Sequence, residues 1–142
     1  FLRRNGADVT RVRKLFRENA NEYKAKADAV SQAEIYKQVF AISTCTSEDI
    51  QSPTVVGAQA ANELLNIKGI KASFVLTEYQ NQIFVSARSI DEINVQVIME
   101  RMGGGGHLNV AGCQFSGSSI PEAIGILKGT LDKMIAEGDL VV

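Results

Sequence analysis

The sequence predicts an α/β domain in which a mixed β-sheet is flanked by helices. Segments rich in β-branched and aromatic residues alternate with segments of helical periodicity, and glycine or capping residues separate them. Hydrophobic residues make up 45% of the chain and charged residues 22%, proportions that suit a buried core. With 142 residues, the chain is long enough for one domain and an N-terminal arm.

The first 34 residues are predicted to form a linker and one long N-terminal helix, and residues 35–142 to form the domain itself. Residues 1–7 have the composition of a connecting segment, and Asp8 can cap a helix that starts at Val9. The chain begins at Phe1 rather than methionine, so we expect a piece of a longer protein. A thin apolar stripe opposite a charged face predicts that this helix lies on another element. The stripe contains Val9, Val12, Phe16, Tyr23, Ala27 and Val30.

The first half of the domain predicts a strand, a helix and a hairpin. Residues 35–43, "IYKQVFAIS", are rich in β-branched and aromatic residues and predict one strand. Pro53 suits a first helical turn, and Gly69 can end that helix. Residues 71–78 and 83–89 predict two strands, and the intervening "YQNQ" predicts an antiparallel hairpin.

The second half predicts a helix, a glycine run, a strand and a last helix. Residues 89–92, "SIDE", fit a capping box that opens the first of these helices. The glycine run, residues 103–106, then ends it, and "AGCQFSG" at residues 111–117 predicts a short strand. Residues 119–122, "SIPE", repeat the capping-box pattern before the last helix, which Gly138 can end.

Composition excludes several classes of function. The net charge of −1 argues against binding of long duplex nucleic acid, which requires a basic surface. The chain has two cysteines, Cys45 and Cys113, and one histidine, without the spacing of metal ligands, so we expect it to bind no metal or cofactor itself. It has no apolar run of about 18 residues, so we expect no membrane contact from this chain.

Four consecutive glycines, Gly103, Gly104, Gly105 and Gly106, precede the only histidine, His107. Two explanations remain open. A helix end needs one glycine in the left-handed conformation, and a second glycine can let the next strand pack closely. Alternatively, bare amides form a concave nest for phosphate oxygens, and the missing Cβ atoms leave room for a flat base.

Arg88 is the predicted partner of this glycine run. Phe84, Ser86 and Arg88 alternate onto one face of their strand. The planar guanidinium of an arginine at a strand end suits two-point contact with phosphate. The alternative is a salt bridge from Arg88 to Asp91 or Glu92.

Weaker candidates surround this pair. His107 either contacts phosphate or a leaving group, with an assisting role in catalysis, or makes a structural hydrogen bond. Asn94 either contacts a base or ribose edge or is an ordinary polar residue on the helix surface. Ser86 is a minor candidate, and Ser89 is already assigned to the helix cap. No further catalytic residue is predicted, because phosphodiester hydrolysis needs a metal or a strong general base that this chain lacks.

Residues 86–112, "SARSIDEINVQVIMERMGGGGHLNVAG", resemble the signature of the DHH-associated domain, the second subdomain of DHH-family phosphoesterases. The family pattern is a Ser-x-Arg-Ser strand end, a polar helix start, and GGGH followed by small residues. Leu108 and Val110 depart from that pattern. The matching residues are Ser86, Arg88, Ser89, Gly104, Gly105, Gly106, His107, Ala111 and Gly112.

The form "GGGGHLNVA" together with "INVQVIME" is similar to the membrane-anchored cyclic-di-AMP phosphodiesterases. This resemblance implies a parent protein anchored in the bacterial plasma membrane, with this chain on the cytoplasmic face. A DHH subdomain of the same polypeptide would bind two manganese ions. Arg88, Asn94, the glycine run and His107 would grip a cyclic or short linear dinucleotide opposite those ions, and this chain alone would be inactive. The resemblance leaves a homodimer open.

Other functions also stay open at this point. The chain could be a non-catalytic nucleotide-binding module, an oligoribonuclease- or exonuclease-type DHH protein acting on short linear RNA, or a structural partner domain whose glycine run is only a turn. A protein for long RNA strands would carry more basic charge and bind with steep salt dependence. The net charge of −1 disfavours that function.

Overall fold

A computed structural model describes residues 20–142, which form one mixed sheet with helices on both faces. The sheet order is β1-β2-β3-β4-β6-β5; β2 and β3 pair in parallel, and every other pair is antiparallel. The predicted α/β class is therefore confirmed. No helix in this part of the chain has the length and hydropathy of a bilayer span. The elements are α1 (Ala20–Ser31), β1 (Glu34–Tyr36), β2 (Phe40–Cys45), α2 (Pro53–Leu64), β3 (Ala72–Tyr79), β4 (Gln82–Ser89), α3 (Val95–Arg101), β5 (Gly105–Gly106), β6 (Val110–Ser116) and α4 (Ile120–Ala136).

The predicted linker, the Asp8 cap and the start of the long helix at Val9 lie outside the described residues. Helix α1 does lie on other elements as predicted, and Val30 of the stripe packs against the second core, but Tyr23 is 72% exposed and the buried residues are instead Ala25 and Ala29. The small alanine side chains allow α1 to pack closely on the sheet and α2. Hydrophobicity alone pointed to the larger side chains, but close helix packing selected the smaller ones.

Two hydrophobic cores occupy the two faces of the sheet. On the first face, α3 and α4 cover side chains such as Phe40, Phe74 and Leu76. On the second face, α1 and α2 cover β2 and β3 around Ala41 and Val75. Within residues 20–142, this second layer leaves β4 and β6 only partly covered, so part of the second face of the described domain is accessible.

Two buried serines fix the helices of the second layer. The Ser43 hydroxyl on β2 donates to the carbonyl of Ala29 at 2.5 Å, and the Ser73 hydroxyl on β3 donates to the carbonyl of Ala61 at 2.6 Å. Both carbonyls lie in the last turn of their helices, where backbone acceptors have no partner within the helix. These bonds satisfy the helix ends and hold both helices on the sheet.

The single strand predicted over residues 35–43 is two strands. The chain reverses after β1 through Lys37 and Gln38, both with positive φ, and β1 pairs antiparallel with β2. Neither residue type marks a turn, so the reversal has no strong local signal. Long-range contacts favour it: Tyr36 donates to Asp132 of α4 at 2.7 Å, and Glu34 pairs with Lys128 at 2.7 Å. The predicted β3–β4 hairpin is confirmed, and Gln80 and Asn81 form its turn with positive φ.

The capping box predicted over residues 89–92 is wrong. Ser89 is the last residue of β4, and its hydroxyl donates to the carbonyl of Ile93 at 2.6 Å. Helix α3 begins later, at Val95, where the Asn94 side chain accepts from the amide of Val97 at 3.2 Å. A Ser-x-x-Glu pattern was present, but β-sheet pairing extended the strand through its serine.

The capping box predicted over residues 119–122 is confirmed at the start of α4. The Ser119 hydroxyl accepts from the amide of Glu122 at 3.2 Å, and the Glu122 carboxylate accepts from the amide of Ser119 at 2.8 Å. These bonds lower the pKa of Glu122, which therefore stays ionised in moderately acidic solution. The box matters because α4 supplies Leu127, Leu131 and Met134 to the first core.

We expect Ser119→Ala to lower the free energy of unfolding by about 1 kcal/mol, because the α4 amide loses its acceptor. Urea denaturation at neutral pH measures the change, and Ser118→Ala is the neighbouring control. The Glu122 pKa is lower in the folded state, so its contribution is present above the carboxyl's ordinary pKa and is lost as pH falls through the folded-state pKa. Alanine keeps the backbone amide that donates to Glu122, the largest cause of the lowered pKa, so both proteins should lose this contribution in acid and most of the difference between them should persist. Equal stability at neutral pH would show that the cap contributes nothing.

Candidate functional site

Two neighbouring rows of paired residues cross the accessible part of the second face. They are Ser86, Gly112 and Gly105 in the first row, and Arg88, Val110 and His107 in the second. Directly paired residues of neighbouring strands lie on the same face of a sheet. His107 joins the second row because its amide donates to the carbonyl of Val110 at 2.7 Å. Two strand spacings of about 4.8 Å therefore separate the Arg88 and His107 backbones.

A groove of about 360 Å³ opens beside the first row. It lies where the N-terminus of α2 approaches the start of the glycine run, and Arg88 and His107 lie outside its lining. Its volume falls within the range of small-molecule sites. The groove is lined by Thr54, Phe84, Val85, Ser86, Gly103, Gly104, Gly112, Cys113 and Gln114.

Arg88 is a half-buried cation that no carboxylate neutralises among residues 20–142. Its Nη1 donates to the carbonyl of Ala87 at 2.9 Å, and burial lowers the pKa of the guanidinium. The salt bridge that was the alternative, to Asp91 or Glu92, is not formed. A guanidinium has five N–H donors, so Arg88 retains donors for an anion.

The first glycine of the run ends α3. Gly103 has a φ of +92°, which favours glycine. Its amide donates to the carbonyl of Glu100 at 3.1 Å, and the amide of Gly104 donates to that of Met99 at 2.7 Å. This pair of bonds is a Schellman motif, the usual ending of a helix by glycine.

Two more glycines permit close packing of the backbone. A Cβ atom at Gly104 would overlap the carbonyl oxygen of Gly112, and a Cβ at Gly106 would overlap the backbone of Ala111. Gly105 differs, because a Cβ there would have no neighbour within 4 Å and its φ is not positive. The structural explanation therefore covers three of the four glycines, and within the described residues nothing in the fold requires glycine at Gly105.

The phosphate nest predicted from consecutive amides is not available in that form. The amides of Gly103 and Gly104 donate to α3, and the amide of His107 donates to Val110. Gly105 and Gly106 pair with β6 as strand β5. The glycine run instead contributes a wall of the groove and a side-chain-free position at Gly105.

The imidazole of His107 is exposed on the loop between β5 and β6. Among residues 20–142, the side-chain hydrogen bonds at this loop come from Ser89 and Asn109, and none uses the imidazole. The structural alternative for His107 therefore has no partner in this part of the chain. Its position beside Val110 leaves it accessible to a ligand that also reaches Arg88.

Asn94 does not join this face. Its side-chain oxygen caps α3, and the residue lines a separate hollow of about 230 Å³ beside Val97, Met134 and Leu140. That hollow lies on the side of the sheet that α3 and α4 cover. The alternative interpretation of Asn94, as a polar residue serving its helix, agrees with this geometry.

Sequence reasoning missed Thr54 and Gln114 in the groove lining. Gln114 lies two residues after Gly112 on β6, so strand alternation places both on one face and was a usable signal. Thr54 had no such signal, because only the packing of α2 on the sheet brings it to β4. Cys113 also lines the groove, but burial raises its pKa to about 11, so at neutral pH it is a thiol and a poor nucleophile.

The described residues offer no ligand set for manganese. Among residues 20–142, no three His, Cys, Asp or Glu side chains cluster closely enough to hold a metal ion. The manganese implied by the family resemblance would therefore need ligands from elsewhere in the polypeptide.

Comparison with known proteins relates this chain to one family. The model of the DHHA1 domain matches residues 37–133. The chain is 42% identical over 124 residues to the cyclic-di-AMP phosphodiesterase PdeA of Listeria monocytogenes, covering 87% of this chain and 19% of that protein. It is 38% identical over 140 residues to the cyclic-di-AMP phosphodiesterase GdpP of Bacillus subtilis, covering 97% and 21%. The chain thus spans about a fifth of the length of these curated relatives.

A solved structure shares the same fold. An exopolyphosphatase-related protein from Bacteroides fragilis superposes with a TM-score of 0.71 at 24% identity, over 81% of this chain and 35% of that one. The family match covers more than half of the chain, and the curated relatives are similar over most of it. The chain belongs to the DHHA1 domain family.

Proposed function

We propose that this chain is the substrate-binding subdomain of a cyclic-di-AMP phosphodiesterase. It binds the phosphates and bases of the dinucleotide with the two rows of residues that cross β4, β6 and β5. The observation that carries the proposal is Arg88, a half-buried guanidinium without a carboxylate partner among residues 20–142, one row from the bare Gly105. The names of the two relatives, both cyclic-di-AMP phosphodiesterases, support the substrate class.

Arg88 supplies the main phosphate contact. Its planar fork can donate two parallel hydrogen bonds to one phosphate. The partial burial that lowers the pKa of Arg88 also shields such a contact from water. A hydrogen bond to a charged group contributes about 1.5–3 kcal/mol.

The groove beside the first row receives a base or ribose of the substrate. Phe84 gives it an apolar wall, while Ser86, Thr54 and Gln114 offer hydrogen-bonding groups. Gly105, which pairs with Gly112 in that row, allows the ligand to approach the backbone where any side chain would intrude. A flat base and an adjoining phosphate can thus occupy neighbouring rows.

His107 contacts a phosphate or the leaving oxygen from the other end of the second row. A ring nitrogen of its exposed imidazole can donate a hydrogen bond to a phosphate oxygen. The DHH subdomain of the same polypeptide would hold manganese, which supplies the hydrolytic chemistry when bound. This chain alone therefore binds dinucleotide weakly and does not hydrolyse it, because the remaining contacts and the metal would belong to the DHH subdomain.

The substrate assignment is tested by titrating cyclic-di-AMP and its linear product into the full-length protein and into this chain, with and without manganese. We expect tight binding and hydrolysis only for the full-length protein with metal. Tight binding by this chain without metal would favour a non-catalytic nucleotide-binding module instead. Preference for longer linear RNA, with steep salt dependence, would favour the exonuclease-type alternative.

We expect Arg88→Ala in the full-length protein to weaken cyclic-di-AMP binding about 10- to 100-fold, because a charge-assisted contact of about 1.5–3 kcal/mol is lost. Arg88→Lys should fall between parent and alanine variant, since it keeps the charge without the fork. Arg101→Ala is the matched control, because Arg101 pairs with Glu137 and Asp139 away from the site. Calorimetry measures all three, and parental affinity for Arg88→Ala would exclude the assigned contact.

The glycine run offers an internally controlled pair of variants. Gly105→Ala should leave the unfolding free energy within about 1 kcal/mol of the parent, since the new methyl group meets open space. It should nevertheless weaken dinucleotide binding, because the methyl group occupies ligand space. Gly104→Ala should instead destabilise the protein through overlap with Gly112. Thermal denaturation and ligand titration of both variants separate the two effects, and unchanged binding by Gly105→Ala would contradict the assignment.

A further inference from the structure

The loop that carries His107 has an unusual setting. It spans residues 107–109 between β5 and β6, and β5 consists of two glycines that have no side chains to anchor it. Two backbone bonds reach the loop from other elements. The amide of Val95 donates to the carbonyl of Leu108 at 2.9 Å, and the amide of Ser89 donates to the carbonyl of Asn109 at 3.1 Å.

The Asn109 side chain adds a connection of its own. Its Nδ2 donates to the Ser89 hydroxyl at 2.9 Å, and that hydroxyl donates to the carbonyl of Ile93 at 2.6 Å. Ser89 is only 5% exposed, so this chain of hydrogen bonds is protected from water and its members polarise one another. Ser89 directly follows Arg88 on β4. The connection therefore ties the loop of His107 to the residue next to Arg88.

We propose that Asn109 is a positioning residue, which acts through Ser89 to keep His107 in the same row as Arg88. The inference rests on the proposed function, because that function assigns Arg88 and His107 to the substrate. Asn109 does not line the groove. Its effect on substrate is transmitted through the backbone of residues 107–109.

A purely structural role would give a different result. If Asn109 only closed the loop, its loss would lower the free energy of unfolding but leave the folded enzyme with parental kinetics. If Asn109 positions His107, its loss lowers kcat/KM and the loss depends on the imidazole. Coupling between the two residues in a double-mutant cycle is therefore the decisive quantity.

The experiment uses the full-length enzyme with cyclic-di-AMP as substrate. Asn109→Asp keeps the shape of the side chain but replaces the donor by an acceptor, so the Ser89 hydroxyl cannot serve both Asp and Ile93. We expect this variant to lower kcat/KM about 5- to 10-fold, the loss of one neutral hydrogen bond. On the His107→Ala background it should cause no further loss. Gln96→Ala, which removes only a contact within α3 to Glu100, is the matched control.

Hydrogen exchange of the His107 amide, which donates to Val110, gives a second measurement. It should quicken in Asn109→Asp and stay unchanged in Gln96→Ala, because only the first variant releases the loop. Both measurements are also made on Asn109→Ala, which removes the hydrogen bond to Ser89 without introducing a charge.

The outcomes separate the two proposals. Parental kcat/KM in both His107→Ala and Arg88→Ala would overturn the proposed function. If those variants lose activity but Asn109→Asp does not, the positioning role is wrong and the proposed function stands. The positioning role is also wrong if the double variant loses kcat/KM by the product of the two single losses, because the two residues would then act independently. Failure of both Asn109 variants to fold would show a structural residue and would also overturn the positioning role.

Discussion

The candidate site depends on the close approach of the β5 backbone to β6. Side chains at Gly104 and Gly106 would overlap Gly112 and Ala111, so only a bare backbone allows β5 to join the sheet. The pairing of β5 with β6 then places His107 in the same row as Arg88, with β6 between them. The glycines therefore determine the geometry of the site through packing, and their own amides are largely used in holding that geometry.

Arg88 is the energetic counterpart of this constraint. A half-buried guanidinium that no carboxylate of residues 20–142 neutralises is a cost to the folded domain, because burial disfavours its charged form. Such a cost is tolerated where an incoming anion relieves it. Among residues 20–142, α1 and α2 cover β2, β3 and part of β4 and leave the rest of the second face uncovered. In the part of the chain that the structure describes, one region of the sheet thus has both open space and a positive charge that no carboxylate neutralises.

Much of this could be predicted from the sequence, and the exceptions have identifiable causes. Alternation along β4 correctly placed Ser86 and Arg88 on one face of the sheet. The Ser-x-x-Glu pattern at residues 119–122 correctly predicted the capping box that opens α4. Asn94, and not the predicted Ser89, caps α3, because strand pairing with residues far along the chain overrode a local capping pattern. The turn at Lys37 was invisible locally, since contacts with α4 stabilise it. The groove wall at Thr54 depends on helix packing, which no short-range pattern encodes.

The buried thiol beneath the groove has a consequence for the redox chemistry of the protein. Burial raises the pKa of Cys113 to about 11, so it is almost entirely a thiol at pH 7, and the thiolate is the form that attacks peroxides and disulfides. Cys45 is also buried, with its pKa raised by that burial. Mild oxidants should therefore spare both thiols, so neither Cys45 nor Cys113 suits a redox switch.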